Sequence, residues 1–82
     1  MTKGMEKHLM VQNCVNKLFF DFPADERFTF ERMCKMLETR LEAEGITNEL
    51  FYAQEMLKGT LCRMVLSDSV KQDGEEYYIP SV

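Results

Sequence analysis

The 82-residue sequence contains a single histidine, His8, and lacks the short motifs of common enzyme active sites. It has no glycine-rich phosphate loop, no Gly-x-Ser-x-Gly and no His-Glu-x-x-His. Its acidic run, Glu38, Glu42 and Glu44, lies on the polar side of a predicted helix, which is typical of a solvated face. We therefore expect a protein that is not an enzyme, with no catalytic residues, no cofactor and no evident small-molecule substrate.

Cysteine pairs and long apolar runs are also missing. Cys14, Cys34 and Cys62 are widely spaced, and none belongs to a Cys-x-x-Cys pair that would place two metal ligands on one turn. An odd, scattered set of cysteines argues against a disulfide framework, so we expect reduced thiols and no metal site. No apolar run approaches the roughly 18 residues of a membrane span, and no secretory signal precedes the first helix. We expect a cytoplasmic (intracellular) protein without a membrane partner.

The sequence does contain enough apolar residues for one core. It is 45% hydrophobic and 29% charged, which excludes the disordered class and leaves room for a single domain, residues 1–82. The net charge of −4 is uneven, since residues 1–20 carry three lysines and one glutamate while the remainder is strongly acidic. An acidic chain repels phosphate at long range, so non-specific nucleic-acid binding is disfavoured unless cations cluster on one face.

Two stretches in the first half have the periodicity of amphipathic helices. The first spans residues 4–20 and ends before Pro23. The second begins after Thr29, whose hydroxyl can accept a hydrogen bond from a free amide of the first turn. Gly45 follows it, where a left-handed residue commonly ends a helix. The core positions recur at helical spacing: Val11, Val15 and Leu18 in the first helix, with Phe22 on the same face just after it, and Phe30, Met33, Leu37 and Leu41 in the second.

A third helix is predicted to start with Thr47 or Asn48 as its N-terminal cap. Gly59 lies inside it and leaves two alternatives. A bend at Gly59 would turn two apolar faces into one core. A straight helix would leave the second face as a surface for self-association or a partner, because monomers rarely expose large apolar patches. The core face carries Leu50, Ala53, Leu57, Leu61, Met64 and Val65, and the opposite face carries Phe51, Tyr52, Met56, Cys62 and Leu66.

The C-terminal segment has a β pattern. Asp73-Gly74 separates two β-prone runs, residues 69–72 and 75–79, and predicts a hairpin because both central residues of the favoured turn need positive φ. A lone hairpin is marginal in water, so Val70, Tyr77 and Ile79 are expected to pack on the helices. The expected fold class is α+β, mainly α, with a three-helix core and a C-terminal β-hairpin.

This order of elements, with a short extended segment at residues 28–30, is similar to the winged helix-turn-helix superfamily. The most specific stretch is residues 64–80, MVLSDSVKQDGEEYYIP, which looks like the end of a recognition helix followed by strand, wing and strand. The resemblance implies that the third helix docks in the major groove of DNA. Two features depart from the usual pattern of this superfamily. The predicted third helix is longer than a usual recognition helix, and the wing is acidic. The residues that would contact DNA are Asn48, Tyr52, Lys58 and Lys71.

Two functions are consistent with these patterns. The first is a small regulatory or adaptor module that binds a protein partner, or a second copy as a homodimer, through an apolar helix face and the hairpin. Its contact residues would be Phe51, Tyr52, Met56 and Leu66, with Tyr52 as an aromatic anchor. The alternative is a DNA-binding transcriptional regulator.

Overall fold

The fold consists of three helices and a small antiparallel sheet, as seen in a computed structural model that describes residues 2–46 and 48–81. The sheet has the strand order β1-β3-β2. The predicted α+β, mainly α class with C-terminal strands is therefore confirmed. The elements in this part of the chain are α1 (Thr2–Asp21), β1 (Phe28–Thr29), α2 (Phe30–Ala43), α3 (Leu50–Leu66), β2 (Lys71–Asp73) and β3 (Glu76–Tyr78).

The three helices pack against one another around a single core. Nine of the eleven core positions predicted above on the first two helices and at Leu50, Leu57 and Leu61 are buried, and the other two, Phe30 and Leu50, are half-buried at its edge. The hairpin contributes Val70, which is fully buried, while Tyr77 and Ile79 pack partly against the core. The expected contact between hairpin and helices is thus confirmed.

Phe28, in the two-residue strand β1, is a central core residue that helical periodicity did not indicate. Its side chain is only 2% exposed. Its ring lies edge-on to Phe22, with centroids 4.9 Å apart, and is stacked on Tyr77 at 5.8 Å. Because β1 pairs with β3, placing Phe28 opposite Tyr77, this aromatic cluster joins the sheet to the end of α1, where the Phe19 ring lies 6.4 Å from that of Phe28.

The predicted ends of α2 are confirmed in atomic detail. The Thr29 hydroxyl accepts a hydrogen bond from the Arg32 amide at 3.2 Å, which satisfies one of the unpaired donors of the first turn. At the other end Gly45 has φ +73°. The Ile46 amide then donates to the Leu41 carbonyl at 2.9 Å, so the chain folds back over the last turn.

Removal of the Thr29 hydroxyl tests this cap. Thr29→Ala is expected to lower the free energy of unfolding by about 1 kcal/mol, because an amide of the first turn loses its partner. Urea denaturation followed by circular dichroism measures the change. Thr39→Ala is the matched control: the Thr39 hydroxyl donates only to the Lys35 carbonyl within the helix, and its loss should leave stability nearly unchanged. Equal losses in the two variants would contradict the capping role of Thr29.

The start of α3 differs from the prediction. Thr47, one of the two predicted caps, lies outside the described residues. Asn48 has φ +64° and so lacks the extended backbone of an N-terminal cap. Glu49 precedes the first helical residue and provides no side-chain cap. The helix instead begins beside α1, where the Lys7 ammonium lies 3.5 Å from the Glu49 carboxylate.

The predicted hairpin is present, but its turn is one residue further along. Asp73 pairs with Glu76, so the two central residues are Gly74 and Glu75. Of these two, only Gly74 has positive φ, +65°. Glycine at the first central position suits a turn of type II′, in contrast to the predicted turn with positive φ at both positions. From outside the hairpin, the Arg27 guanidinium lies 2.8 Å from the Asp73 carboxylate.

Candidate interaction face on the third helix

α3 runs without interruption from Leu50 to Leu66, through Gly59. Its buried residues all lie on one side, and they are Ala53, Leu57, Thr60 and Leu61. The bent-helix alternative, in which both apolar faces would enter the core, is therefore wrong. The straight helix leaves its second face outside the fold.

This second face, here called the outer face, presents large apolar side chains to solvent. It consists of residues that lie opposite the buried side at about 100° per residue. Phe51 is 77% exposed and Leu66 is 85% exposed, while Tyr52 is 43% exposed. Three of the four predicted partner-binding residues are therefore accessible. The residues of the outer face are Phe51, Tyr52, Glu55, Gly59, Cys62, Arg63 and Leu66.

Met56, the fourth predicted residue, lies at the margin of this face. It is half-buried and packs against the core. On the helix surface it adjoins Ala53 and Thr60, which are three and four residues away and are both buried. Its role as a partner contact stays a prediction, and part of its side chain is already covered within the chain.

Tyr52 is held in place by α1. Its hydroxyl is hydrogen-bonded to Nδ1 of His8, and the two ring centroids are 6.0 Å apart. The hydroxyl therefore has a partner within the chain while much of the ring remains exposed, which suits an anchor with little conformational freedom left to lose. His8 and Tyr52 are 44 residues apart in sequence, so no local pattern could have indicated their contact.

An apolar groove of about 550 Å³ lies beside the outer face, between α3 and the hairpin. It is open to solvent and shares two residues with the outer face, Cys62 and Leu66. The predicted involvement of the hairpin agrees with this arrangement, because Gln72 and Tyr77 form its far wall. The full lining is Phe30, Lys58, Leu61, Cys62, Val65, Leu66, Gln72 and Tyr77.

The three thiols differ in accessibility. Cys14 is buried, Cys34 is half-buried and Cys62 is exposed on the outer face. Burial is the main cause that raises the pKa of the Cys14 thiol, with the Glu44 carboxylate adding to it. Burial likewise raises the pKa of the Cys34 thiol, helped by the charge of Glu31. Cys14 and Cys34 are therefore at least partly covered within the chain, and Cys62 is available to solvent.

α1 also exposes apolar side chains. Phe20 is 88% exposed, and Leu9, eleven residues earlier on the same side of the helix, is exposed as well. Both Phe20 and Phe51 are thus surface aromatics, and Phe20 provides a matched reference for the outer face.

The residues predicted to contact DNA have different surroundings. Asn48 and Lys58 are exposed, whereas the Lys71 ammonium is paired with the Asp68 carboxylate at 3.2 Å. The hairpin tip is acidic, with Asp73, Glu75 and Glu76 all exposed. Arg27 pairs with Asp73 at 2.8 Å and lies 3.9 Å from Glu76, which leaves it turned toward the hairpin. The described cations of this region therefore do not form a continuous basic surface.

Comparisons with protein-family models, with curated proteins and with solved structures give no match for this chain. None of the helices that the structure describes is long and apolar enough to cross a membrane.

Proposed function

We propose that this protein is a small, non-enzymatic regulatory or adaptor module that binds a protein through the outer face of α3. The observation that carries the proposal is the exposure of Phe51 and Leu66 on an uninterrupted helix whose other side is fully used by the core. A helix that is apolar on both sides is normally covered on both sides. A bound protein would provide the missing cover.

Burial of the outer face would supply part of the energy that specific binding requires. Full burial of a phenylalanine or leucine side chain contributes about 1.5–3 kcal/mol, and most of this remains to be gained at Phe51 and Leu66. Tyr52 adds a ring whose hydroxyl already has a partner in His8. In most protein interfaces a small number of residues contributes most of the binding energy, and aromatic residues are common among them. The adjoining groove offers a concave surface for a side chain of the partner.

We also propose that the chain belongs to the winged helix-turn-helix superfamily. The order of elements supports this affiliation: helix, strand, two helices and a hairpin, with β1 added to the sheet beside β3. A fold by itself does not imply a function. DNA binding is the alternative within this superfamily, and the acidic hairpin tip makes protein binding the better supported choice.

Paired substitutions test the proposed face. Phe51→Ser and Leu66→Ser, singly and together, are expected to weaken binding of a stoichiometric protein partner, or self-association, by about tenfold or more each. Phe20→Ser removes an equally exposed aromatic from α1 and should leave binding unchanged. Circular dichroism controls for folding, because surface substitutions of this kind alter stability by about 0.5 kcal/mol or less. If the double variant keeps the same complexes at the same affinity as Phe20→Ser, the proposal is wrong.

A DNA titration provides the second arm of this test. We expect no salt-dependent binding of random duplex DNA at low ionic strength, because phosphate contacts require clustered cations. Lys58→Ala and Lys71→Ala should consequently leave the result unchanged. Binding that weakens steeply with salt and is lost in these two variants would favour the DNA-binding alternative over a protein partner.

A further inference from the structure

The outer face of α3 has the spacing of a two-helix seam. Tyr52, Gly59 and Leu66 are seven residues apart, which is the heptad repeat of helices that pack along their length. These three positions are not buried in the described structure, and Tyr52 and Leu66 are exposed. One line along the helix therefore combines an aromatic residue, a residue without a side chain and an aliphatic residue.

The same face is self-complementary about Gly59. Tyr52 and Leu66 lie seven residues to either side, and Glu55 and Arg63 lie four residues to either side. In an antiparallel helix pair centred on Gly59, each residue faces the one at equal distance on the opposite side. Aromatic would then face aliphatic, and carboxylate would face guanidinium. A parallel pair would instead place like charges together, which is unfavourable.

Gly59 is not required by any contact within one chain. A methyl group added at this position would meet only a guanidinium nitrogen of Arg63, at the ordinary contact distance of 3.8 Å. Glycine is nevertheless disfavoured in the interior of a helix. Close approach of a second backbone does require it. Lys58, the remaining charged residue nearby, projects about 100° away from Gly59 and is clear of the seam.

We propose that the occupant of the outer face is a second copy of this chain, with the two α3 helices antiparallel and crossing at Gly59. The inference rests on the proposed function and names its partner. Tyr52 packs on Leu66 of the partner subunit, and Glu55 of each protomer pairs with Arg63 of the partner subunit. The Arg63 guanidinium, which donates to the Thr60 hydroxyl at 3.4 Å and lies over Gly59 in the single chain, turns outward to make this pair. The interface is isologous, with Gly59 on the twofold axis. A single helix seam is smaller than the standard interface of about 800 Å² per partner, so the dimer is weak and depends on concentration.

Charge reversal tests the pairing. Sedimentation velocity from micromolar to millimolar protein is expected to show a monomer–dimer equilibrium for the wild type. Glu55→Arg and Arg63→Glu should each raise the dissociation constant about tenfold or more, because each brings like charges together twice. The double variant Glu55→Arg/Arg63→Glu should have a dissociation constant close to that of the wild type. A wild-type monomer throughout this range, or a double variant as weak as the single ones, would overturn the proposal.

Cross-linking tests the geometry independently and captures a weak dimer. On a Cys62→Ser background, the double variant Tyr52→Cys/Leu66→Cys, which keeps Gly59, is expected to form intermolecular disulfides under mild oxidation, because these two positions face each other across the seam and come within the Cα distance of about 4.4–6.8 Å that a disulfide needs. Lys58→Cys on the same background is the matched control and should cross-link several-fold more slowly. Equal rates for the two variants would rule out a crossing at Gly59.

The outcomes separate the two proposals. If the chain stays monomeric while Phe51→Ser and Leu66→Ser abolish binding of a different protein, the second copy is wrong and the protein-binding face stands. If the wild-type chain dimerises but the double charge variant does not regain wild-type dimerisation, the face binds a second copy in another geometry. The antiparallel pairing is then wrong. If neither self-association nor partner binding depends on the outer face, both proposals are wrong.

Discussion

Phe28→Ala is expected to lower the free energy of unfolding by about 3–5 kcal/mol, which is the usual cost of removing a buried aromatic side chain. The ring is almost fully buried and touches Phe22 and Tyr77, so its loss leaves a cavity between α1 and the sheet. A small domain has a total stability of about 5–15 kcal/mol. We therefore expect a variant that is close to unfolding, or unfolded, at 37 °C.

Thermal and urea denaturation measure this effect, with Phe20→Ala as the matched control. Phe20 is 88% exposed, so the same chemical change at its position should alter stability by no more than about 0.5 kcal/mol. Similar losses in the two variants would mean that Phe28 is not a core residue and that β1 does not join the sheet to α1.

Leu57→Ala and Leu66→Ala are expected to differ strongly in their effect on the free energy of unfolding, although both remove a leucine side chain from α3. Leu57 is fully buried, and its truncation should cost about 2–5 kcal/mol. Leu66 is 85% exposed, and its truncation should change the free energy of unfolding by about 0.5 kcal/mol or less. Denaturation at low protein concentration, where self-association does not contribute, provides the comparison.

The same pair links stability to function. Leu66→Ala should weaken binding at the outer face while the isolated chain stays folded, which distinguishes a residue kept for a partner from one kept for the core. A large loss of stability in Leu66→Ala would show that its side chain is covered within the chain. The outer face would then have to be redrawn without it.

An exposed apolar helix face also has a physical consequence for the isolated protein. Large apolar patches on a monomer favour association and, when no specific partner is present, aggregation. The charges of Glu55 and Arg63 lie within the outer face and limit non-specific contact, because burying an unpaired charge is unfavourable. A partner that pairs both charges avoids this penalty, and a second copy of the chain does so by symmetry.

Local signals in the sequence predicted the helices well. The Thr29 cap and the Gly45 terminus depend on hydrogen bonds between residues three to five apart, and the core stripes depend only on helical periodicity. These features are short-range, so they can be recognised without knowing the fold. The turn at Gly74 was misplaced by one residue, since several turn types accept glycine and the pairing of Asp73 with Glu76 selects among them.

Three other features depend on the tertiary structure. Phe28 lies in a strand of two residues, too short for any periodic pattern, and its burial follows from pairing with β3. The contact between His8 and Tyr52 joins residues far apart in sequence. Above all, the sequence determined that α3 has two apolar faces but not which of them enters the core, because that depends on whether the helix bends at Gly59. The helix is continuous, only one face can meet α1 and α2, and the other stays exposed to solvent.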